Sequence, residues 1–247
     1  MLGIPDRIQA CLFDMDGVLT ETAVVHAAAW KEMFDAFLRQ RAQRTAGHFV
    51  PFDAVADYDT YVDGKPRLDG TRSFLRARGI ELPEGSPGDA AGEPTVAGLG
   101  NWKNQIVQRK IAEGGVKAYP GSVRYVQAAR KAGLRLAVVS SSANTMQVLQ
   151  AAGLGGFFDE VVDGLVAERE HLVGKPAPDT YLAAARGLGV PPGRAAVYED
   201  ALAGVTAGRA GDFGWVVGVD RVGQAEELRK AGAGVVVRDL EELLDPQ

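Results

Sequence analysis

The sequence predicts an α/β fold, a parallel-sheet core interrupted after its first strand by an inserted helical cap. Three observations predict it. Short apolar runs stop abruptly at polar residues, as strands buried on both faces do. Stretches with helical spacing separate the later runs, so strand and helix alternate from about Pro120 onward. Between the first run and the second lies a long segment with helical patterns and no convincing strand.

In chain order, Ile8 to Phe13 is the first run, and it ends at Asp14-Met15-Asp16-Gly17. Thr22 to Leu38 reads as a helix, with Val25, Ala29, Phe34 and Leu38 near one face. Thr71 to Arg78 and Trp102 to Ala112 are the next helical stretches. Pro83 to Gly100, rich in Gly, Pro, Ala and Asp, is expected to be a mobile loop. Four more strand-like runs follow: Leu134 to Val139 before Ser140, Ala195 to Tyr198 before Glu199, Trp215 to Val219 before Asp220, and Val235 to Val237 before Arg238. Ser122 to Lys131, Asn144 to Ala152 and Asp179 to Gly187 supply helices between them, the last closed by glycines. The expected boundaries are a core of residues 1–20 and 119–247 and a cap of residues 21–118.

With 247 residues, the chain can bury a large core without covalent staples. Its net charge of −5 argues against a bulk electrostatic grip on nucleic acid or an anionic membrane. A small anionic substrate remains compatible with it. The single cysteine, Cys11, lies in an apolar run and reads as a packing residue in a reducing compartment. Neither a signal-peptide pattern nor a bilayer-length apolar stretch is seen, so a cytoplasmic, monomeric protein is expected.

Ligands of open parallel sheets bind beyond the carboxyl ends of the strands. The residues gathered there are Asp14 and Asp16, then Ser140, Ser141, Ser142 and Asn144, then Glu199 and Asp200. Lys175 lies in a Gly-Lys-Pro loop ahead of that last pair. Taken singly, each has a bland reading as a turn, a helix cap or a surface charge. Taken together, four carboxylates would repel unless a cation joined them. No His or Cys cluster offers a zinc site, and Mg2+ suits carboxylates, carbonyls and water. Mg2+ with a lysine and hydroxyl donors suits a phosphate. A carboxylate can attack phosphorus to form an aspartyl-phosphate, and a second one can move the proton.

These residues resemble the motifs of the haloacid dehalogenase superfamily. Asp14-Met15-Asp16-Gly17-Val18-Leu19-Thr20 looks like its first motif, Ser140 its second, Lys175-Pro176 its third and Glu199-Asp200 its fourth. His26-Ala-Ala-Ala-Trp30, Lys175-Pro-Ala-Pro-Asp179 and Glu199-Asp-Ala-Leu-Ala-Gly204 are similar to its β-phosphoglucomutase branch. The resemblance implies a Rossmann-like core with a helical cap. It makes Asp14 the nucleophile, Asp16 the acid/base, and Ser140 and Lys175 the residues holding the transferring phosphoryl group. Asp14, Glu199, Asp200 and the Asp16 backbone carbonyl would be the Mg2+ ligands. Arg67, Lys103, Ser142 and Asn144 would meet the second phosphate of a sugar-phosphate substrate. The resemblance favours a gating or positioning role for His26, and for Trp30 substrate contact competes with cap packing. The branch has a lysine where this chain has Ala143, and the cap is longer around Arg39 to Asp57 and at Pro83 to Gly100. Three readings stay open: a sugar-phosphate mutase (an isomerase), a sugar-phosphate phosphatase (a hydrolase) and a silent sugar-phosphate sensor.

Overall fold

The computed structural model describes residues 2–244. One compact unit runs through Glu21 and resumes at Val116; the other is Thr22–Gly115. The first unit is built on six parallel strands: β1 (Ala10–Phe13), β2 (Arg135–Val139), β3 (Glu160–Val162), β4 (Ala195–Glu199), β5 (Trp215–Val219) and β6 (Val235–Val237). Their order in the sheet is β3-β2-β1-β4-β5-β6, so the chain reverses its direction of travel between β1 and β4. Both of those strands are buried throughout.

Alternate residues explain why these runs read as continuously apolar. Ala10, Leu12, Ala137, Val139, Ala195 and Val197 belong to one cluster, with α7 (Asp179–Gly187) and α8 (Leu202–Ala210). Cys11, Phe13 and Tyr198 alternate with them and meet Tyr125 of α4 (Pro120–Lys131). There the Phe13 and Tyr198 rings stack at 4.5 Å. Burial pushes the Cys11 thiol up to about 12, which fits a packing role and not a reactive one.

The second unit carries α1 (Thr22–Thr45), α2 (Arg67–Ala77) and α3 (Val96–Gly114), with a single π-helical turn at Tyr58–Val62. Among the described residues it contains no strand. Its centre is aromatic: Phe34 lies against Trp30 (5.3 Å between ring centroids), Phe52 (5.4 Å) and Phe74 (4.1 Å). Segment 46–57 is tied to α1 through buried Asp35, which accepts the Phe52 N–H at 2.7 Å, while Lys31 donates to the Phe52 carbonyl.

Two expectations need correction. The edge strand β3 was not anticipated, because three residues flanked by charge give no periodic signal. Residues 83–100 are not one loop, since α3 already begins at Val96. Thr95 caps it by accepting the Gly98 N–H at 2.9 Å, and Val96 N donates to the Pro83 carbonyl. Glycines at 98 and 100 suggested a loop. In the helix they are buried, and a Cβ on Gly98 would lie 2.5 Å from the Glu93 carbonyl.

Candidate active site at the carboxyl end of the sheet

Asp14 follows β1 directly and is buried, its N–H donating to the Tyr198 carbonyl of β4 at 2.9 Å. Lys175 arrives in the loop before α7, at a cis Lys175–Pro176 peptide. Its ammonium donates to Asp14 Oδ1 at 2.5 Å and to the Val139 carbonyl at 3.2 Å, and pairs with Glu199 Oε1 at 2.6 Å. One buried cation thus joins the ends of β1, β2 and β4. Burial alone would lower its pKa, but the charges of Asp14 and Glu199 outweigh that and hold it above the usual lysine range.

Glu199 ends β4 with no exposure. Besides Lys175, its carboxylate accepts from Tyr181 Oη at 2.7 Å and from the Ala201 N–H at 3.2 Å. Gly204 leaves room for it, since a Cβ there would lie 1.7 Å from Glu199 Oε1. Asp200 comes next, and a Cβ on Gly17 would lie 1.7 Å from its Oδ2. Gly17 also has φ +88°, so position 17 of the first motif must be glycine on two counts. Asp16 forms a bridge to Thr20 in the same turn, close enough for its charge to raise Asp14.

Burial is the main cause of the Asp14 carboxyl lying well above its usual range; Lys175 opposes it, and the charges of Glu199 and Asp16 add to it. The Lys175 ammonium therefore does not outweigh the cost of burying the Asp14 charge. Asp14, Glu199 and Asp200 each present an oxygen within 4.8 Å of the others, all buried. An all-oxygen set with excess negative charge fits a hard divalent cation.

Ser140 follows β2 and is buried; its hydroxyl accepts the Ser142 N–H at 3.1 Å. The Ser142 hydroxyl accepts the Asn144 N–H at 3.2 Å, and buried Asn144 precedes α5 (Thr145–Ala151). The hydroxyl run is thus a sequence of local turns at the end of β2.

Within the cap unit, Lys103 is buried. Its ammonium lies 2.9 Å from His26 Nδ1 and 4.9 Å from the centre of the Trp30 ring. Trp30 is itself buried and stacks on Phe34. Arg67 opens α2 and donates from Nη2 to Asn101 Oδ1 at 3.5 Å.

Three residues that touch this site were missed in the sequence. Tyr181 sits in a helix whose Tyr-Leu-Ala-Ala-Ala run reads as core. Arg221 and Gln224 lie in the loop after β5, and Gln224 donates to the Asp200 carbonyl at 2.9 Å. Strand-end position was the available signal, since Asp220 had been marked as closing its strand.

The sequence model of the haloacid dehalogenase-like hydrolase family matches residues 8–212. A β-phosphoglucomutase of Mycobacterium bovis is 57% identical over 247 residues, covering 99% of this chain and 94% of that protein. The crystal structure of β-phosphoglucomutase from Clostridium difficile superposes with a TM-score of 0.74 at 25% identity, over 96% of this chain and 94% of that one. CbbY from Rhodobacter sphaeroides, solved in complex with phosphate, gives 0.71 at 28% identity and 96% of each chain.

Proposed function

Because the chain belongs to the haloacid dehalogenase-like hydrolase family, we propose that it is a β-phosphoglucomutase, interconverting β-glucose 1-phosphate and glucose 6-phosphate. The observation that carries this is the buried Asp14, Lys175, Glu199 and Asp200 cluster at the reversal of strand order, supported by the 57% identity to a mycobacterial enzyme of that name.

An Asp14 carboxylate oxygen attacks the phosphorus of a sugar bisphosphate. The bond from phosphorus to the sugar oxygen breaks, and that oxygen takes a proton from Asp16. The aspartyl-phosphate then passes its phosphoryl group to a hydroxyl of the next sugar phosphate, whose proton returns to Asp16. Lys175, already beside Asp14, offers its charge to the phosphoryl oxygens, and Ser140 adds a hydroxyl donor. Asp14, Glu199, Asp200 and the Asp16 carbonyl would hold Mg2+, which when bound offsets the negative charge of carboxylates and phosphoryl group. For the phosphate that is not being transferred, the candidates are Arg67 and Lys103 in the cap unit and Ser142 and Asn144 in the core unit. The forked guanidinium of Arg67 suits it to that task. His26, beside Lys103, helps place that lysine. The protein works as a cytoplasmic monomer on a small sugar phosphate; no described helix is long and apolar enough to cross a membrane.

A phosphatase is the second reading, favoured by Ala143 where the mutase branch carries a lysine. One assay separates them: β-glucose 1-phosphate, Mg2+ and a trace of glucose 1,6-bisphosphate, with glucose 6-phosphate and inorganic phosphate followed together. Glucose 6-phosphate in large excess over free phosphate is expected. Dominant free phosphate would make the protein a phosphatase.

A further inference from the structure

Two points of the carboxylate site touch one another and are held from the same side. Gly17, beside Asp16, lies directly against the Asp200 carboxylate. The Gly17 carbonyl accepts from Arg221 Nε at 2.7 Å, and the Asp200 carbonyl accepts from Gln224 Nε2 at 2.9 Å. Both donors belong to the turn after β5. Asp220 shapes that turn by accepting the N–H groups of Gly223 at 2.7 Å and Gln224 at 2.8 Å.

Arg221 is fixed independently of Gly17. Its Nη1 donates to the Arg238 carbonyl at 2.7 Å and lies 3.5 Å from Asp239 Oδ2, and its guanidinium lies over the Tyr119 ring at 3.6 Å. A flat, forked group reaches a ring and two carbonyls at once, and an ammonium does not. Among the described residues, its buried Nη2 has no hydrogen-bond partner. A buried, unpaired donor is a poor choice for stability alone and calls for another explanation.

We propose that the Asp220–Gln224 turn is a positioning element for the metal-binding end of the site, with Arg221 setting the Asp16–Gly17 turn and Gln224 setting Asp200. The proposal rests on the phosphoryl-transfer reading above. Neither side chain touches substrate; each acts through a backbone carbonyl of the residue it holds. Carboxylates of a metal site must keep their spacing, and partners behind the ligands are what keep it.

The test uses the full chain with Gln224→Met, Arg221→Lys and Arg221→Met. It measures kcat and KM for β-glucose 1-phosphate, Mg2+ affinity by titration calorimetry, and melting temperature. Gln224→Met should weaken Mg2+ binding and lower kcat by about tenfold each, leaving KM for the sugar phosphate within about twofold of wild type. Arg221→Lys, which keeps one donor, should retain more Mg2+ affinity than Arg221→Met. Folded Gln224→Met and Arg221→Met proteins with wild-type kcat and Mg2+ affinity would overturn the proposal. So would losses that merely follow the fall in melting temperature and vanish on cooling. If the wild-type chain transfers no phosphoryl group, the functional reading has failed, and the Mg2+ titrations alone decide the role of the turn.

Discussion

The core and the cap hold their charged residues in different ways. In the core, Asp14, Glu199 and Asp200 project from neighbouring parallel strands, and Lys175 ties two of them to the Val139 carbonyl of a third. The pairing of β1 with β4 sets those positions, since Glu199 ends β4 and Asp14 and Asp200 follow directly on the two strands. In the cap, Lys103, His26 and Trp30 stand on helices organised by an aromatic cluster. Packing of that kind leaves long connections at its edges, such as segment 46–57 and the Gly85–Thr95 turns. The difference teaches that a backbone ladder fixes the distances between charged groups, whereas a packed helical scaffold leaves more freedom at its edges.

The comparison predicts graded losses. Asp14→Asn should lower turnover by about ten-thousandfold or more, because the proposed nucleophile is gone. Retained single-turnover phosphorylation of that variant would remove the covalent mechanism. Lys175→Met should lower kcat about a thousandfold, as expected for loss of a buried charge at the transferring group. It should also destabilise the metal-free protein by about 3 kcal/mol, since Asp14 and Glu199 lose their shared cation. Chemical denaturation in a chelator reads the second effect, and an unchanged midpoint would mean that the shared cation adds nothing to stability.

Arg67→Ala tests the cap. It should lower kcat/KM for the mutase reaction about a hundredfold, the worth of a forked charge-assisted contact, and reduce release of inorganic phosphate much less. Equal losses in both channels would assign Arg67 to the architecture of α2 and not to the substrate.

Five of the six strands were legible because parallel strands buried on both faces leave unbroken apolar runs. Asp14, Ser140, Glu199 and Asp200 were legible because polar residues end those runs. Lys175 stood out only beside Pro176 and the other motifs, and nothing local says that it reaches three strands. β3 was too short to show a period. Tyr181 was hidden because a tyrosine in an alanine-rich helix looks like core on one face, and its hydroxyl partner lies 18 positions away in sequence. Burial, and then the charges of Glu199 and Asp14, raise the Tyr181 phenol well above its ordinary range, so it stays protonated and donates. Pro83 to Gly100 reads as loop because glycine signals flexibility in sequence, whereas Gly98 and Gly100 are helical and buried.

The smallest effect on chemistry, and the sharpest test of the contrast, belongs to Asp35. It is buried in the cap, accepts the Phe52 N–H, and pairs with Lys31 at 3.0 Å, so it anchors segment 46–57 to α1. Asp35→Ala strands a buried donor and should cost about 2 kcal/mol of stability. If the cap varies freely at its edges, kcat at saturating substrate should change by less than about threefold, within what a surface-distant substitution does once the protein is folded. A fall in kcat as deep as that of Lys175→Met, in protein shown to be folded by circular dichroism, would mean that the inserted segment governs the chemistry as tightly as the sheet does.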